Sequence, residues 1–169
     1  MLDLECFKVG DRVVYPAHGV GEIIGEEVQI VGGAEFRVFI ISLPKDKVTL
    51  RVPVKRASHA GLRQLCSLDK FTKVFNVLQM KSRVSKGMWS KRAQEYEVKI
   101  NSGNINSLAE VARDLHKNSD DPERSYSERI IYESALGRLA GEYAAIKGIE
   151  LAKALSLLTD SLEERIFAA

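Results

Sequence analysis

FKVGDRVVYPAHGVGEI, residues 7–23, decides how the first third of the chain folds. Two runs rich in valine flank the tetrad Pro16, Ala17, His18 and Gly19. Proline fixes one backbone angle and glycine tolerates a positive one, so the tetrad reads as a turn between two strands. HGVG contains a GxG. Neither GK[ST] nor a third glycine ahead of a helix follows it, so it reads as a β-turn and not as a phosphate-cradling loop.

Working outward, GVGEIIGEEVQIV, AEFRVFIISL and KVTLRVPV repeat the strand composition. Gly32-Gly33 and the residues 44–46 punctuate them. Two adjacent glycines suit a tight hairpin turn. Several short strands with close turns predict a small, strongly bent β-barrel over residues 1–65.

The remainder, residues 66–169, has helical spacing. Leu68, Phe71, Val74, Phe75 and Leu78 share one face. Ser107 with Glu110 has capping-box spacing ahead of Leu108, Val111, Ala112 and Leu115. Ser125 with Glu128 repeats it before Ile131, Ala135, Leu139, Tyr143 and Ile146. Gly148 is placed to end that helix. Leu151, Ala154, Leu155, Leu158 and Leu162 line a last one. Gly103 and the residues 118–122 separate helices. The fold class expected is therefore α+β, a small β domain followed by a compact all-α domain.

Bulk composition is that of a soluble globular protein, 45% hydrophobic and 28% charged. The net charge of +2 says little, but its distribution says more. Residues 67–103 hold 8 basic and 3 acidic side chains, whereas residues 104–169 hold 8 and 12. Between Asp69 and Glu95 there are seven cations and no acid. Such a block suits phosphate, and it equally suits a solvated helical face. Within it lies RVSKGMWSKR, residues 83–92, with the only tryptophan of the 169 residues. Gly87 breaks the preceding segment, and a helix starts near Trp89 or Ser90. Backbone N–H groups at a helix start favour phosphate, with Lys91 and Arg92 adding charge. Two readings of Trp89 stay open. It packs on Phe71, Phe75 or Tyr96, or its ring meets an unstacked base outside the protein.

Signals for catalysis are poor. His18, His59 and His116 are scattered and lack metal-ligand spacing, and no serine sits in a GxSxG elbow. No metal, cofactor or catalytic residue is expected. Cys6 and Cys66 form no ligand or redox spacing and read as reduced thiols. The first residues, MLDLECFKVGD, lack a cationic start and an apolar core, so neither a signal peptide nor a membrane association is expected. A cytoplasmic monomer fits. In KVTLRVPV, Val48, Leu50 and Val52 alternate with Lys47, Thr49 and Arg51, and Pro53 removes a backbone donor. This is either an internal strand with a solvated Arg51 or an edge strand open to a partner strand.

FKVGDRVVYPAHGVGEI, LRVPV and WSKR together resemble the CarD/CdnL family of bacterial RNA polymerase-binding regulators. The likeness spans nearly the whole chain. The first half of the FxxGDxVVYPxHGVG motif is shared with the polymerase-interaction domain of transcription-repair coupling factors, and the helical part with its tryptophan separates the two. The resemblance implies a Tudor-like (SH3-like) N-terminal barrel that docks on the lobe and protrusion of the polymerase β subunit. The docking strand would be Lys47, Val48, Thr49, Leu50, Arg51, Val52 and Pro53, with Arg51 matching the family's arginine. It also implies helices lying on promoter DNA near the upstream edge of the −10 element. Trp89 would wedge at the upstream edge of the transcription bubble and stabilise the open complex. Lys91 and Arg92 match neighbouring basic positions, Arg129 matches a basic DNA-facing position, and Lys86 in the preceding basic segment adds a phosphate contact. Where some relatives carry a second polymerase-facing arginine, this chain has Gln29. Localisation would be cytoplasmic and nucleoid-associated through the polymerase. An alternative function is an adaptor that recruits another protein to polymerase without touching DNA. The ending IFAA resembles tags read by ATP-dependent proteases through Ala168-Ala169, and it equally suits a frayed end.

Overall fold

The computed structural model describes residues 7–57, 59–83, 86–116 and 125–167. Ala168 and Ala169, and with them the degradation-tag reading, lie outside these. The chain divides into two compact units, Met1–Leu65 and Cys66–Ala169. The layout is α+β, with an N-terminal β unit and a C-terminal helical unit.

Strand β1 (Arg12–Tyr15) is shorter than its composition suggests. Residues 8–11 form a turn instead. The Asp11 carboxylate accepts the Lys8 N–H at 2.9 Å, and the Gly10 N–H donates to the Ile23 carbonyl at 2.7 Å. A local side chain-to-backbone bond of this kind competes with the ladder. The turn at 16–19 leads into β2 (Gly19–Val31), which pairs with β1 antiparallel. The second glycine of HGVG has a steric reason. A Cβ on Gly21 would lie 2.8 Å from Leu43 Cδ2 and from the Ser42 carbonyl oxygen. The motif's Gly21 therefore lets β3 (Ala34–Leu43) approach closely.

Gly32 and Gly33 have φ of 60° and 82°, the hairpin geometry expected between β2 and β3. A register shift between Ile23 and Gly25 marks a bulge, where a long strand bends. Strand β4 (Val48–Pro53) pairs with β3, and β5 (Arg63–Gln64) with β1. The order is β4-β3-β2-β1-β5. All four ladders are antiparallel, and among the described residues none joins β4 to β5. Val13, Ile23, Phe39, Ile41, Leu43 and Val52 form the core, completed by Val54, Ala57 and Leu62 beyond β4.

Five helices form the second unit: α1 (Leu68–Leu78), α2 (Trp89–Asn101), α3 (Ile105–Leu115), α4 (Tyr126–Lys147) and α5 (Leu151–Phe167). Phe71 stacks on Tyr143 at 4.7 Å, and Phe75 meets Tyr143 edge-on. Leu108, Val111, Ala112, Leu115, Ala135, Leu139, Ala154, Leu158 and Leu162 are buried around them, as their spacing predicts. Ser125 caps α4 by accepting the Glu128 N–H at 3.1 Å, and Gly148 ends it with φ 65°. The Ser107 reading needs correction. Helix α3 starts earlier, because Asn104 Oδ1 accepts the N–H groups of Asn106 (2.9 Å) and Ser107 (3.4 Å). Asparagine is as good a cap as serine, and it comes first after the turn at Gly103.

Candidate functional site

The helical unit positions its tryptophan from behind. Met88 is extended and Trp89 opens α2, so the indole leaves from the first turn. Residues three and seven positions on fall on neighbouring parts of the same helix face. These are Arg92 and Tyr96. The Arg92 guanidinium lies 5.5 Å from the Trp89 ring centre and 6.0 Å from that of Tyr96. The two rings are 6.3 Å apart and tilted by 45°. Tyr96 is buried in the helical core, while Trp89 is half-buried against its margin. The indole Nε1–H donates to Ser127 Oγ on α4 at 3.2 Å. The packing reading of Trp89 holds for its contact with Tyr96. The rest of the ring is open.

Arg92 differs from a freely solvated cation. Its side chain is half-buried, and its buried Nε has no hydrogen-bond partner among the described residues. Cation–π contact with both rings is how a guanidinium tolerates that setting. Lys86, Lys91 and Arg129 are exposed, and among the described residues they form no ion pair. The structure brings Trp89, Arg92, Tyr96 and Ser127 together. No described contact joins Lys86, Lys91 or Arg129 to the indole. Ser127 was missed by sequence reasoning, because nothing local links it to a residue 38 positions earlier.

A cleft of about 410 Å³ also lies in this unit, lined in part by Lys99, Glu110, Arg113 and Asp114. Two of the three cations lining it, Lys99 and Arg113, are already engaged. Lys99 pairs with Glu110 at 2.9 Å and Arg113 with Asp114 at 2.8 Å. Among the described residues no three His, Cys, Asp or Glu side chains group as metal ligands, and no helix is long and apolar enough to cross a membrane.

In the β unit, β4 has a neighbour on one side only among the described residues. KVTLRVPV therefore contains an edge strand and not an internal one. Val52 faces the core, Leu50 is half-buried, and Val48 is exposed, so the alternation fades toward the turn. Lys47 forms that turn with φ 53°, a left-handed conformation unusual for lysine. Arg51 is opposite Ile40, and Ile40 is opposite Gly25. Alternation along β2 then puts Gly25, Glu27 and Gln29 on the same face as Arg51. Accordingly, Arg51 Nε reaches Glu27 Oε2 at 3.4 Å across the sheet. Arg51 and Gln29, which stands where some relatives carry a second polymerase-facing arginine, share one face. The turn of the glycine motif is tied to the β3–β4 turn, since His18 Nδ1 lies 2.9 Å from Asp46 Oδ2.

Comparison with known proteins covers both units. A family model described as "CarD-like/TRCF RID domain" matches residues 7–66. One described as "CarD, C-terminal domain" matches residues 73–159, half of the chain. A curated protein of Bacillus subtilis (strain 168), described as "Putative transcription factor YdeB", is 26% identical over 143 residues, which are 85% of this chain and 94% of that protein.

Proposed function

The chain belongs to the CarD family of transcription regulators that interact with RNA polymerase, and from that premise we propose a non-enzymatic factor that stabilises the open promoter complex. The β unit, a Tudor-like module in this reading, docks on the β-subunit lobe through Lys47 and the edge strand β4 that follows it. Arg51 meets a carboxylate there. The Glu27–Arg51 pair is exposed on both sides, so exchanging one carboxylate for another costs little.

Docking raises the local concentration of the helical unit at the promoter. Trp89 then contacts DNA at the upstream edge of the bubble, near the −10 element. Inserting a ring into intact duplex costs a few kcal/mol per unstacked step. At a junction that is already open, stacking on one base returns about 1–3 kcal/mol. Only this difference between closed and open DNA moves the equilibrium. Lys86, Lys91 and Arg129 supply phosphate contacts, which set register without reading sequence. Arg92 contributes mainly by backing the ring.

The observation that carries this reading is a half-open indole at a helix start, backed by a stacked guanidinium and a buried tyrosine. A photo-crosslinker at Met88, which is 77% exposed, tests it in a polymerase–promoter complex. Crosslinks to DNA at the upstream bubble edge are expected. Crosslinks to protein alone would replace this function with the adaptor reading.

A further inference from the structure

We propose that Ser127 is a positioning residue for Trp89, fixing the indole in the orientation in which it meets opened DNA. This rests on the reading of Trp89 given above. Arg92 and Tyr96 back the ring face, but both belong to the same helix as Trp89. A stack along one helix at the margin of the core restrains only weakly an outward swing of the ring about its two side-chain torsions. The Ser127 hydroxyl comes from α4 and accepts the Nε1–H at 3.2 Å. It grips the ring edge from outside α2, so rotation about either torsion breaks the bond.

Ser127 has no competing task in the described structure. The cap of α4 is Ser125, whose Oγ takes the Glu128 N–H. Ser127 lies in the first turn after that cap, exposed, with its hydroxyl on the indole. Losing that hydroxyl therefore spares the helix start. An ordering contact of this type does its work before DNA arrives. It lowers the entropy lost when the ring stacks, which is how preorganisation raises affinity.

Because Trp89 is the only tryptophan, fluorescence excited at the red edge of indole absorption, where tyrosine does not absorb, reports on it alone. Ser127→Ala should raise acrylamide quenching and lower the anisotropy of Trp89. It should shift the held-to-released ratio about fivefold, as one ordinary hydrogen bond does. The lifetime of the open complex should shorten in step, and Ser127→Thr should restore both. In a Trp89→Phe background, which lacks the N–H, Ser127→Ala should change the lifetime no further. Unchanged fluorescence in Ser127→Ala overturns the proposal, whatever happens on DNA. Released fluorescence with an unchanged lifetime also overturns it, provided Trp89→Ala still shortens that lifetime. If Trp89→Ala has no effect either, the wedge reading fails and takes the positioning role with it.

Discussion

An indole at a helix start among cations needs apolar backing from elsewhere, and Tyr96 with the stacked Arg92 supplies it. The sequence showed the tryptophan, its charge setting and Tyr96 as a neighbour. It could not show that Arg92 turns inward, since a cation in a basic run looks solvated until the ring positions are known. Arg51 gives a parallel case. Its alternation along β4 was legible, but its partner Glu27 sits two strands away, a pairing fixed only by register. Arg51→Glu should weaken binding to a β-lobe fragment at least about tenfold, since the charge pair with the lobe is lost and a like charge replaces it. Glu27→Gln frees Arg51 and should tighten binding by at most about fivefold, the range of an exposed pair. Calorimetry on the two variants checks this. Equal affinity for Arg51→Glu would move the dock, and weaker binding by Glu27→Gln would put Glu27 itself in the interface.

Elements were legible where their signals are local. Helix α4 follows from Ser125, Glu128 and Gly148, each within one turn of a boundary. The start of α3 was misplaced because two residues able to cap it, Asn104 and Ser107, lie three apart, and the first one wins. Strand β5 was missed because Arg63-Gln64 is too short to show alternation and exists only by pairing with β1. The approach to Trp89 was also beyond sequence reasoning. Asp114 is 6% exposed, and its Oδ1 accepts the Arg83 N–H at 2.9 Å and Arg113 Nε–H at 2.8 Å. Ser82 Oγ donates to the Arg113 carbonyl beside them. These bonds pin the segment between α1 and α2 to the end of α3. Asp114→Ala would remove the carboxylate that accepts from Arg113 Nε–H and from the N–H of residue 83. It should cost about 3–5 kcal/mol, the usual penalty for breaking a buried pair. Chemical denaturation measures the loss. A change below about 1 kcal/mol would mean the Asp114 network does not hold this segment.

At the scale of the molecule, the proposed function divides the labour between the two units: a β unit for the polymerase and a helical unit for DNA. The boundary between a strand-rich and a helix-rich half was plain from periodicity, and the glycine-rich opening motif carried the family resemblance. Binding of the full chain to a forked duplex should fall with salt. The three exposed cations Lys86, Lys91 and Arg129 predict a log–log slope of about −2 to −3, at about 0.7–0.9 per phosphate contact. Fluorescence anisotropy across a salt series gives that slope, and a flat response would mean these cations only face solvent. Most direct is the lifetime of preformed open complexes after competitor is added, with wild-type protein against Trp89→Ala. Removing one stacked indole should shorten it about tenfold, while polymerase binding stays unchanged. Equal lifetimes at saturating protein would contradict the account.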